Sequence, residues 1–473
     1  MNKLPGVSNL GLPRRLTQRL RARLRAQRRW WRARWRATSA GEVLFPTVGR
    51  GMVAVETLAG LPDRTGDAGP APERGYPGQP VAAAAAPRIA ILHATAGGGH
   101  KRAAQAIASA VAARDPRATV RDVDALVFAS RLYRRTYAQS YNVLAARAPR
   151  VWGVLYRTWG SVPVNRGTAP VRLALDRLNL RRLVRVVERE KPDAVVCTHF
   201  LPVEALAPVR GVGRLQVPLY CVITDFAAHP FWVFPHVDRY FVASERVAEE
   251  LAGHGVERAR IEVTGIPVEP RFAIPIGREA ARRRFGLPLD RPVVLVMGGG
   301  SGVGPLAALA ERLVRLAAAP EVVVVCGTNA GLLRQVEALP EAGEGRVHAL
   351  GFTREVDALL EACDVVVSKA GGLTCSEALI KRAPLVIFRP TPGQEEANAS
   401  FLAAAGAAVH AGAIEEVEST VARWLADPAE YQRVREAAGR LARPRAAEAI
   451  AERVLEEAGV AVGARNGPDR APR

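Results

Sequence analysis

Short apolar runs alternate with longer stretches of helical periodicity from about residue 88 onward, and this alternation constrains the fold more than any other feature of the chain. Apolar runs of this length, separated by helical segments, are typical of buried parallel strands joined by helices. The sequence therefore predicts a parallel sheet wrapped by helices. The first set of runs is RIAILHA (88–94), TVRDVDA (119–125), DAVVCTH (193–199), LYCVITD (219–225), RYFVAS (239–244) and RIEVTG (260–265).

The same pattern restarts after the segment RRRFGLPLDRP (282–292). The second set of runs is VVLVMGG (293–299), EVVVVCG (321–327), RVHALG (346–351), VVVSKA (365–370) and PLVIFRP (384–390). A chain of 473 residues is too long for one ordinary domain. We predict an α/β protein with two doubly wound Rossmann-like domains that face a cleft, an N-terminal domain over 87–275 and a C-terminal domain over 286–445. A C-terminal helix and tail follow over 446–473.

The N-terminal segment 1–37 is strongly basic. It contains Lys3 and eleven arginines and no acidic residue, so it carries more than half of the net charge of +20. Read as a helix, it places leucines and tryptophans on one stripe and most arginines opposite them, which is typical of an in-plane anchor on an anionic membrane. A disordered arginine-rich arm and a nucleic-acid-binding arm remain alternatives.

Segment 38–86 is rich in Gly, Pro and Ala and has no sustained period, so it is predicted to be a flexible linker. The five cysteines are odd in number and include no C-x-x-C pair, which favours reduced thiols in the cytoplasm. The chain shows neither an apolar run long enough to span a membrane nor the apolar core of a signal peptide. We expect a cytoplasmic protein that is peripheral on the inner face of the cell membrane.

Two glycine-rich loops follow the first strand of each predicted domain. The first is HATAGGGHKRAAQAI (93–107), and the second is VMGGGSGVGP (296–305). Neither fits G-x-G-x-x-G or the P-loop pattern, which removes the best support for a dinucleotide or P-loop NTPase site. At the carboxyl end of a strand, such a loop brings backbone N–H groups and a helix N-terminus close to an anion. A tight turn without a ligand is the alternative for each loop alone.

A third glycine turn lies in SKAGGLTCSEAL (368–379), and the loop TPGQEEAN (391–398) follows one strand later. Glu377 lies one turn into the predicted helix behind the Gly-Gly pair, where its carboxylate could accept hydrogen bonds from a ribose diol. A capping or surface role for Glu377 is the alternative. The polar loop could hold the hydroxyls of a sugar.

The segment RLYRRTYAQSYNVLAARAPRVWGVLYRTWG (131–160) places tyrosines and tryptophans among arginines. Aromatic side chains flanked by basic ones are well suited to a bilayer interface. Ordinary packing of an amphipathic helix is the competing explanation.

Together, the motifs GGGHKRAAQA, CTHFLPVEAL, VITDFAAHPFWVFPHVDRYFVASE, VTGIPVEPRF, MGGGSGVGP and SKAGGLTCSEAL with PTPGQEEAN resemble the diacylglycerol glycosyltransferases, the monogalactosyldiacylglycerol synthase and processive glucosyltransferase group of glycosyltransferase family 28. The resemblance covers about residues 88–445. It implies a GT-B fold and an inverting, metal-independent transfer of a hexose from UDP-glucose or UDP-galactose to the hydroxyl of 1,2-diacylglycerol. The C-terminal domain would bind the UDP-sugar and the N-terminal domain the lipid, and no cofactor is implied.

The resemblance also assigns roles to residues. It implies that His100 is the general base that removes the proton of the acceptor hydroxyl, a task that suits imidazole with its ordinary pKa of about 6.5. Glu377 matches the ribose-binding glutamate, and Gln394 and Glu395 match the pair that contacts the sugar. From its place near the predicted cleft, Asp225 is a second catalytic candidate that orients the acceptor or His100, with lining of the cleft as the alternative.

The other donor-site residues are expected at the turns of the C-terminal domain. Backbone N–H groups and a helix dipole there would meet the charge of the leaving UDP, in place of a metal. The residues are Gly299, Gly300 and Ser301 at the diphosphate, with Gly327, Phe352, Gly371, Gly372, Leu373 and Thr374 around them.

Other functions remain open at this stage. A transferase to a polyprenyl-linked acceptor and a UDP-sugar epimerase use the same fold. A non-catalytic protein that binds a membrane or nucleic acid through its basic N-terminus is a further alternative, against which the presence of His100 and Glu377 counts. The sequence does not separate glucose from galactose as the donor sugar.

Overall fold

The computed structural model describes residues 86–95, 98–135 and 162–466, with side chains described up to 459 and, in the third range, from 175 onward. Several predicted features lie outside the described residues. They are the basic segment 1–37, the linker up to residue 85, Gly97, the aromatic segment from 136 to 160 and the tail after 466.

The first sheet has six parallel strands in the order β2-β1-β3-β4-β5-β6. The strands are β1 (Arg88–His93), β2 (Thr119–Asp124), β3 (Ala194–Cys197), β4 (Leu219–Val222), β5 (Arg239–Val242) and β6 (Ile261–Val263). The helices that accompany them are α1 (Gly98–Arg114), α2 (Val162–Glu190), α3 (Phe200–Gly211) and α4 (Glu245–Gly253). The next helix, α5 (Arg278–Arg284), contacts the second half of the chain through the hydrogen bond of Arg282 to Asp364. Short 3₁₀ turns cover Ala125–Phe128, Pro230–Trp232, Arg258–Arg260 and Pro270–Ala273.

The second sheet also has six parallel strands, in the order β12-β11-β10-β7-β8-β9. The strands are β7 (Val293–Met297), β8 (Glu321–Val325), β9 (Val347–Leu350), β10 (Val365–Ser368), β11 (Leu385–Phe388) and β12 (Ala408–Ala411). The helices are α6 (Leu306–Leu313), α7 (Ala330–Glu337), α8 (Pro340–Gly343), α9 (Val356–Ala362), α10 (Gly372–Ile380), α11 (Gln394–Ala404), α12 (Ile414–Ala426), α13 (Pro428–Leu441) and α14 (Ala446–Asn466).

The apolar runs of the sequence become strands because helices cover both faces of each sheet. All residues of β3, β4, β7, β8, β10 and β11 are buried, so no polar alternation is needed along these strands. The predicted α/β architecture with two doubly wound sheets is confirmed. Of the strands in the described residues, only β12 was not predicted, because its sequence AVHA is a weak apolar run at the edge of the sheet.

The strand order reverses once in each sheet. In the first sheet β1 lies between β2 and β3, and in the second sheet β7 lies between β8 and β10. Connections from the two neighbouring strands leave on opposite faces at such a point and open a crevice at the carboxyl ends, where ligands of α/β proteins bind. The loop before α1 and the two glycine turns before α6 and α10 follow the strands at these two positions.

The last helix, α14, packs on the first sheet rather than on the second. Its apolar side, with Ala447, Ile450 and Val454, joins a core cluster that includes Ile107 of α1 and Phe241 of β5. The chain therefore returns to its N-terminal half after completing the second sheet. Both sheets belong to one compact unit. Among the described helices, none is both long enough and apolar enough to cross a bilayer.

Candidate functional site

The side chain of His100 lies at the reversal point of the first sheet, in the first turn of α1. Its Nδ1 is 2.8 Å from the carbonyl oxygen of Thr198, which directly follows β3, and 3.0 Å from the hydroxyl oxygen of Thr224, after β4. The Thr198 hydroxyl also donates to the backbone oxygen of His100 at 2.9 Å. Because a carbonyl can only accept, Nδ1 carries the proton and Nε2 holds the lone pair.

The surroundings of His100 keep its ring neutral. Burial lowers the pKa of His100 from 6.5 to about 4, the hydrogen bond to Thr198 opposes this shift, and His93 lowers the pKa further. A neutral imidazole at cytosolic pH has the protonation state that a general base requires. The Nε2 atom of His100 can therefore accept a proton without first losing one.

An imidazole ring and an indole ring lie beside His100. The ring of His199 lies edge-on at 4.5 Å between centroids, and the indole of Trp232 lies at 6.3 Å. His199 caps α3 by accepting from the N–H of Leu201 at 3.0 Å, so a helix N-terminus holds its orientation. Burial also lowers the pKa of His199 well below its ordinary value, and the neighbouring His100 adds to that shift.

The glycine loop after β7 packs against the turn after β8. The N–H of Thr328 donates to the backbone oxygen of Gly300 at 3.0 Å, and a β-carbon on Gly327 would lie 2.4 Å from that same oxygen. Gly327 has a φ of +57°, which glycine adopts without strain. Gly299, Gly300 and Ser301 are exposed on this loop, so the structure brings four of the predicted donor-site residues together.

The turn after β10 places Gly371 directly before α10 and places Gly372, Leu373 and Thr374 in its first turn. The free N–H groups and the positive dipole end of this nine-residue helix can meet an anion. The reversal of strand order puts this turn beside the loop after β7. Phe352 instead follows β9 at the edge of the sheet and is 66% exposed.

Glu377 of α10 is only 1% exposed, so the alternative of a surface role is wrong. Its carboxylate forms an ion pair with the guanidinium of Arg102 on α1. This pair joins the two predicted domains. The carboxylate that is predicted to bind ribose is therefore paired, in the structure, with Arg102 from the helix that carries His100.

The loop TPGQEEAN places Gln394 and Glu395 at the start of α11. The carboxylate of Glu395 accepts from the N–H of Thr391 at 2.6 Å and lies 3.7 Å from the ammonium of Lys369. Lys369 also donates to the Thr391 hydroxyl at 3.0 Å. These contacts hold the loop in place, and a β-carbon on Gly371 would lie 3.9 Å from Glu395, so the loop borders the turn before α10.

Asp225 follows β4 and contacts the C-terminal half of the protein rather than His100. Its carboxylate accepts from the amide of Asn398 at 3.1 Å. Burial raises the pKa of Asp225 from 3.8 to about 6, the Asn398 hydrogen bond lowers it, and Glu395 raises it. The contacts that orient the His100 ring come from Thr198 and Thr224, so orientation of His100 by Asp225 is not what the structure displays.

The two halves meet directly at this site. A β-carbon on Gly372 would lie 2.0 Å from the carbonyl oxygen of Thr224, and one on Gly99 would lie 3.8 Å from Leu373. The rings of Phe226 and Phe401 stack at 5.3 Å between centroids. The predicted cleft is therefore closed at the point where the loop after β4 meets α10.

Sequence reasoning missed four residues of this site: Arg102, Thr198, Thr224 and Asn398. The two threonines end the predicted strands DAVVCTH and LYCVITD, so their position at the carboxyl edge was a usable signal. Arg102 and Asn398 have partners far away along the chain, which no local pattern indicates. Within the part of the chain that the structure describes, no group of three or more His, Cys, Asp or Glu side chains is arranged to hold a metal ion.

Known families match both halves of the chain. Residues 100–268 match the family model of monogalactosyldiacylglycerol (MGDG) synthase, and residues 293–450 match the glycosyltransferase family 28 C-terminal domain. The processive diacylglycerol beta-glucosyltransferase of Bacillus subtilis (strain 168) is 32% identical over 284 residues, which cover 59% of this chain and 73% of that protein. The same-named protein of Bacillus pumilus (strain SAFR-032) is 29% identical over 282 residues, 59% of this chain and 73% of that protein.

Solved structures share the fold at low sequence identity. The S. aureus MnaA-UDP co-structure superposes with a TM-score of 0.51 at 13% identity and covers 78% of this chain and 96% of that one. Acinetobacter baumannii MurG superposes with a TM-score of 0.51 at 15% identity, and the match covers 78% of this chain and 99% of that one. These likenesses establish the GT-B fold and nothing finer. Because the sequence relatives reach 32% identity over most of their own length, the chain belongs to the diacylglycerol glycosyltransferase family and is a hexosyltransferase of the glycosyltransferase family 28 type.

Proposed function

We propose that this UDP-sugar-dependent hexosyltransferase moves a hexose, with inversion and without a metal, from UDP-glucose or UDP-galactose to the hydroxyl of 1,2-diacylglycerol. The observation that carries the proposal is the position of His100, whose Nδ1 is held by Thr198 opposite the glycine turn of α10. The names of the sequence relatives favour glucose and diacylglycerol.

The chemistry follows from these positions. Nε2 of His100 takes the proton of the acceptor hydroxyl while that oxygen bonds to the anomeric carbon. The bond from the anomeric carbon to the UDP oxygen breaks, and its electron pair leaves with UDP. Attack from the side opposite the leaving group inverts the anomeric centre. The N–H groups of Gly372 and Leu373 at the start of α10, with the loop around Gly300, would meet the negative charge on the leaving diphosphate.

Each remaining donor-site residue has a proposed contact. Glu377 would accept from the ribose diol after Arg102 has moved away, and Gln394 and Glu395 would contact the hexose. Phe352, at the exposed edge after β9, would pack on the nucleotide. Asp225 would orient the acceptor hydroxyl toward His100.

A lipid acceptor requires that the enzyme reach a membrane, and we propose that the first half of the chain binds an anionic bilayer. Exposed leucines support this assignment, namely Leu132 at 75% and Leu175 and Leu178 at 53% each. Hydrogen bonds from Ser130 to Asn179 and from Tyr133 to Asp176 join the two segments that carry them. Exposed arginines flank these leucines, a combination suited to anionic lipid. The flanking arginines are Arg131, Arg134, Arg135, Arg177, Arg181 and Arg182.

The test is an assay of the full chain with UDP-glucose or UDP-galactose and diacylglycerol in anionic vesicles containing EDTA. We expect UDP release and a glycolipid product with one of the donors. His100→Ala should lower kcat by about 10²- to 10⁴-fold, the usual loss of a general base, and should leave UDP affinity unchanged. His410→Ala is the matched control, because His410 is exposed on the distant edge strand β12.

The outcomes separate the alternatives. UDP release distinguishes transfer from epimerisation, because an epimerase leaves the sugar nucleotide intact. Product with a polyprenyl-linked acceptor but not with diacylglycerol would contradict the proposed acceptor. Full activity of the His100 variant would contradict the assignment of the base, and UDP binding without turnover with any acceptor would favour a binding protein.

A further inference from the structure

The amide of Asn398 is fully buried and uses all of its hydrogen-bonding atoms. Its Oδ1 accepts from the N–H of Phe226 at 2.7 Å. Its Nδ2 donates to the carboxylate of Asp225 at 3.1 Å and to the carbonyl oxygen of Ala370 at 2.9 Å. Asn398 itself is 0% exposed. A buried amide with three partners of this kind has a single favoured position, because losing any one of them leaves a polar atom unpaired.

The three partners come from both halves of the protein. Asp225 and Phe226 follow β4 of the first sheet, whereas Ala370 leads into α10, the helix of Glu377. Asn398 lies one helical turn after Gln394 on α11, so it shares a helix face with a residue that was predicted to contact the sugar. The amide therefore joins the loop of Asp225 to both elements that are proposed to hold the donor.

We propose that Asn398 is a positioning residue that holds the Asp225 carboxylate, in its ionised form, against the helix proposed to hold the donor sugar. This inference rests on the proposed glycosyl transfer and extends it to a residue that touches neither substrate nor His100.

The electrostatics of Asp225 explain why a neutral donor is needed there. Burial raises the pKa of Asp225 to about 6, close to cytosolic pH, and the amide of Asn398 works against that rise. Among the described residues, the titratable groups that act on Asp225 bring no positive charge. Glu395 from α11 raises the pKa of Asp225, and burial raises the pKa of the Cys375 thiol from α10. The ammonium of Lys369 pairs with Glu395, at 3.7 Å, and has no part in the pKa shift of Asp225. Without the amide, the carboxyl group would hold its proton at higher pH.

Asn398→Ala tests this role through the pH dependence of kcat/KM between pH 5 and pH 9. Loss of a hydrogen bond to a charged group is expected to lower kcat/KM about 10- to 100-fold at pH 7. The acid limb of the profile should move to higher pH. In Asp225→Asn, the further change Asn398→Ala should lower kcat/KM less than about 3-fold. If Asn398 acts through the Asp225 carboxylate, its removal has little effect once that carboxylate is gone. Ser400→Ala is the control, since Ser400 is exposed on the same helix.

Asn398→Asp keeps the experiment decisive if the alanine variant does not fold. The aspartate retains an acceptor for Phe226 but places a second carboxylate beside Asp225, and two such groups share a proton. We expect kcat/KM of this variant to rise as the pH falls from 8 toward the pKa of the pair, opposite to the wild-type slope.

The failure of this inference differs from the failure of the proposed function. If the wild type forms no glycolipid with either donor, the proposed transfer is wrong, and Asn398 loses its proposed role with it. If the wild type is active and Asn398→Ala lowers kcat/KM equally at every pH and additively with Asp225→Asn, Asn398 is only a structural residue. A wild-type slope in Asn398→Asp would overturn the inference as well.

Discussion

Arg102 on α1 forms an ion pair with the buried carboxylate of Glu377 on α10. Arg102 lies two residues after His100, and Glu377 is the residue proposed to bind the ribose of the donor. The side chain of Arg102 is 40% accessible, whereas the Glu377 side chain is 1% accessible. In the proposed function, a ribose diol would reach Glu377 only if Arg102 moved, so donor binding and the contact between the two halves would compete for one carboxylate.

Removal of Arg102 should therefore strengthen UDP binding. We expect Arg102→Met to lower the Kd of UDP about 3- to 10-fold, because the competing ion pair no longer holds the unliganded form. Titration calorimetry at two salt concentrations measures this, and added salt should tighten UDP binding only in the wild type. Arg114→Met is the control, since Arg114 is on the same helix and pairs with Glu452 at the surface. Weaker UDP binding in Arg102→Met would show instead that Arg102 contacts the donor.

The acid limb of the pH profile should belong to Asp225 and not to His100. The pKa of His100 is lowered to about 4, so its ring stays neutral and active through pH 5 to 8. Asp225, whose pKa is raised to about 6, is ionised above that pH and loses its charge below it. We expect kcat/KM of the wild type to fall as the pH drops through about 6. In Asp225→Asn, kcat/KM should be lower throughout and should not fall further below pH 6. A limb that persists in Asp225→Asn would assign it to another group.

Gly372 allows the two halves to touch. A β-carbon at this position would lie 2.0 Å from the carbonyl oxygen of Thr224, so Gly372→Ala must push α10 away from the loop after β4. We expect a loss of about 1–3 kcal/mol in unfolding free energy, the usual effect of overpacking, and at least about 10-fold lower kcat/KM. Thermal unfolding and initial rates measure both. Gly253→Ala should change neither, because open space surrounds Gly253, and equal effects at the two positions would contradict the prediction.

Glu457 should secure the return of α14 to the first sheet. Its carboxylate accepts from the hydroxyl of the buried Tyr220 at 2.6 Å and from Arg239 at 2.8 Å. Glu457→Ala leaves both donors without this partner, and we expect about 1–3 kcal/mol less stability, seen as a lower Tm. Glu456→Ala is the neighbouring control, because Glu456 is largely exposed and pairs with Arg453 at the surface. Similar Tm values for the two variants would show that apolar packing alone holds the helix.

The exposed leucines near α2 should contribute to membrane binding. Replacing Leu132, Leu175 and Leu178 together with serine is expected to weaken binding to anionic vesicles at least about 10-fold, because each buried apolar side chain adds to partitioning. Vesicle flotation measures the bound fraction, and the Tm should stay unchanged. Leu289→Ser is the control, since Leu289 is half exposed in the second half of the chain. Undiminished flotation would place membrane contact elsewhere in the protein.

The apolar runs and glycine turns of the sequence were sufficient to predict eleven of the twelve strands in the described part of the chain. Most of these runs mark a stretch buried inside a sheet, and the turns mark where strands end. The same local signals placed His100, Glu377 and the Gly299 loop at carboxyl ends of strands, where parallel sheets bind ligands.

Only the tertiary structure decided which of these residues meet. In the folded protein, Thr198 and Thr224 contact His100, and Arg102 forms an ion pair with Glu377. Asn398 donates to Asp225, and α14 packs on the first sheet. Local periodicity records which face of an element is buried, but it does not record the partner. These contacts depend on the packing of segments far apart in the chain, which is settled only when the two sheets and their helices assemble.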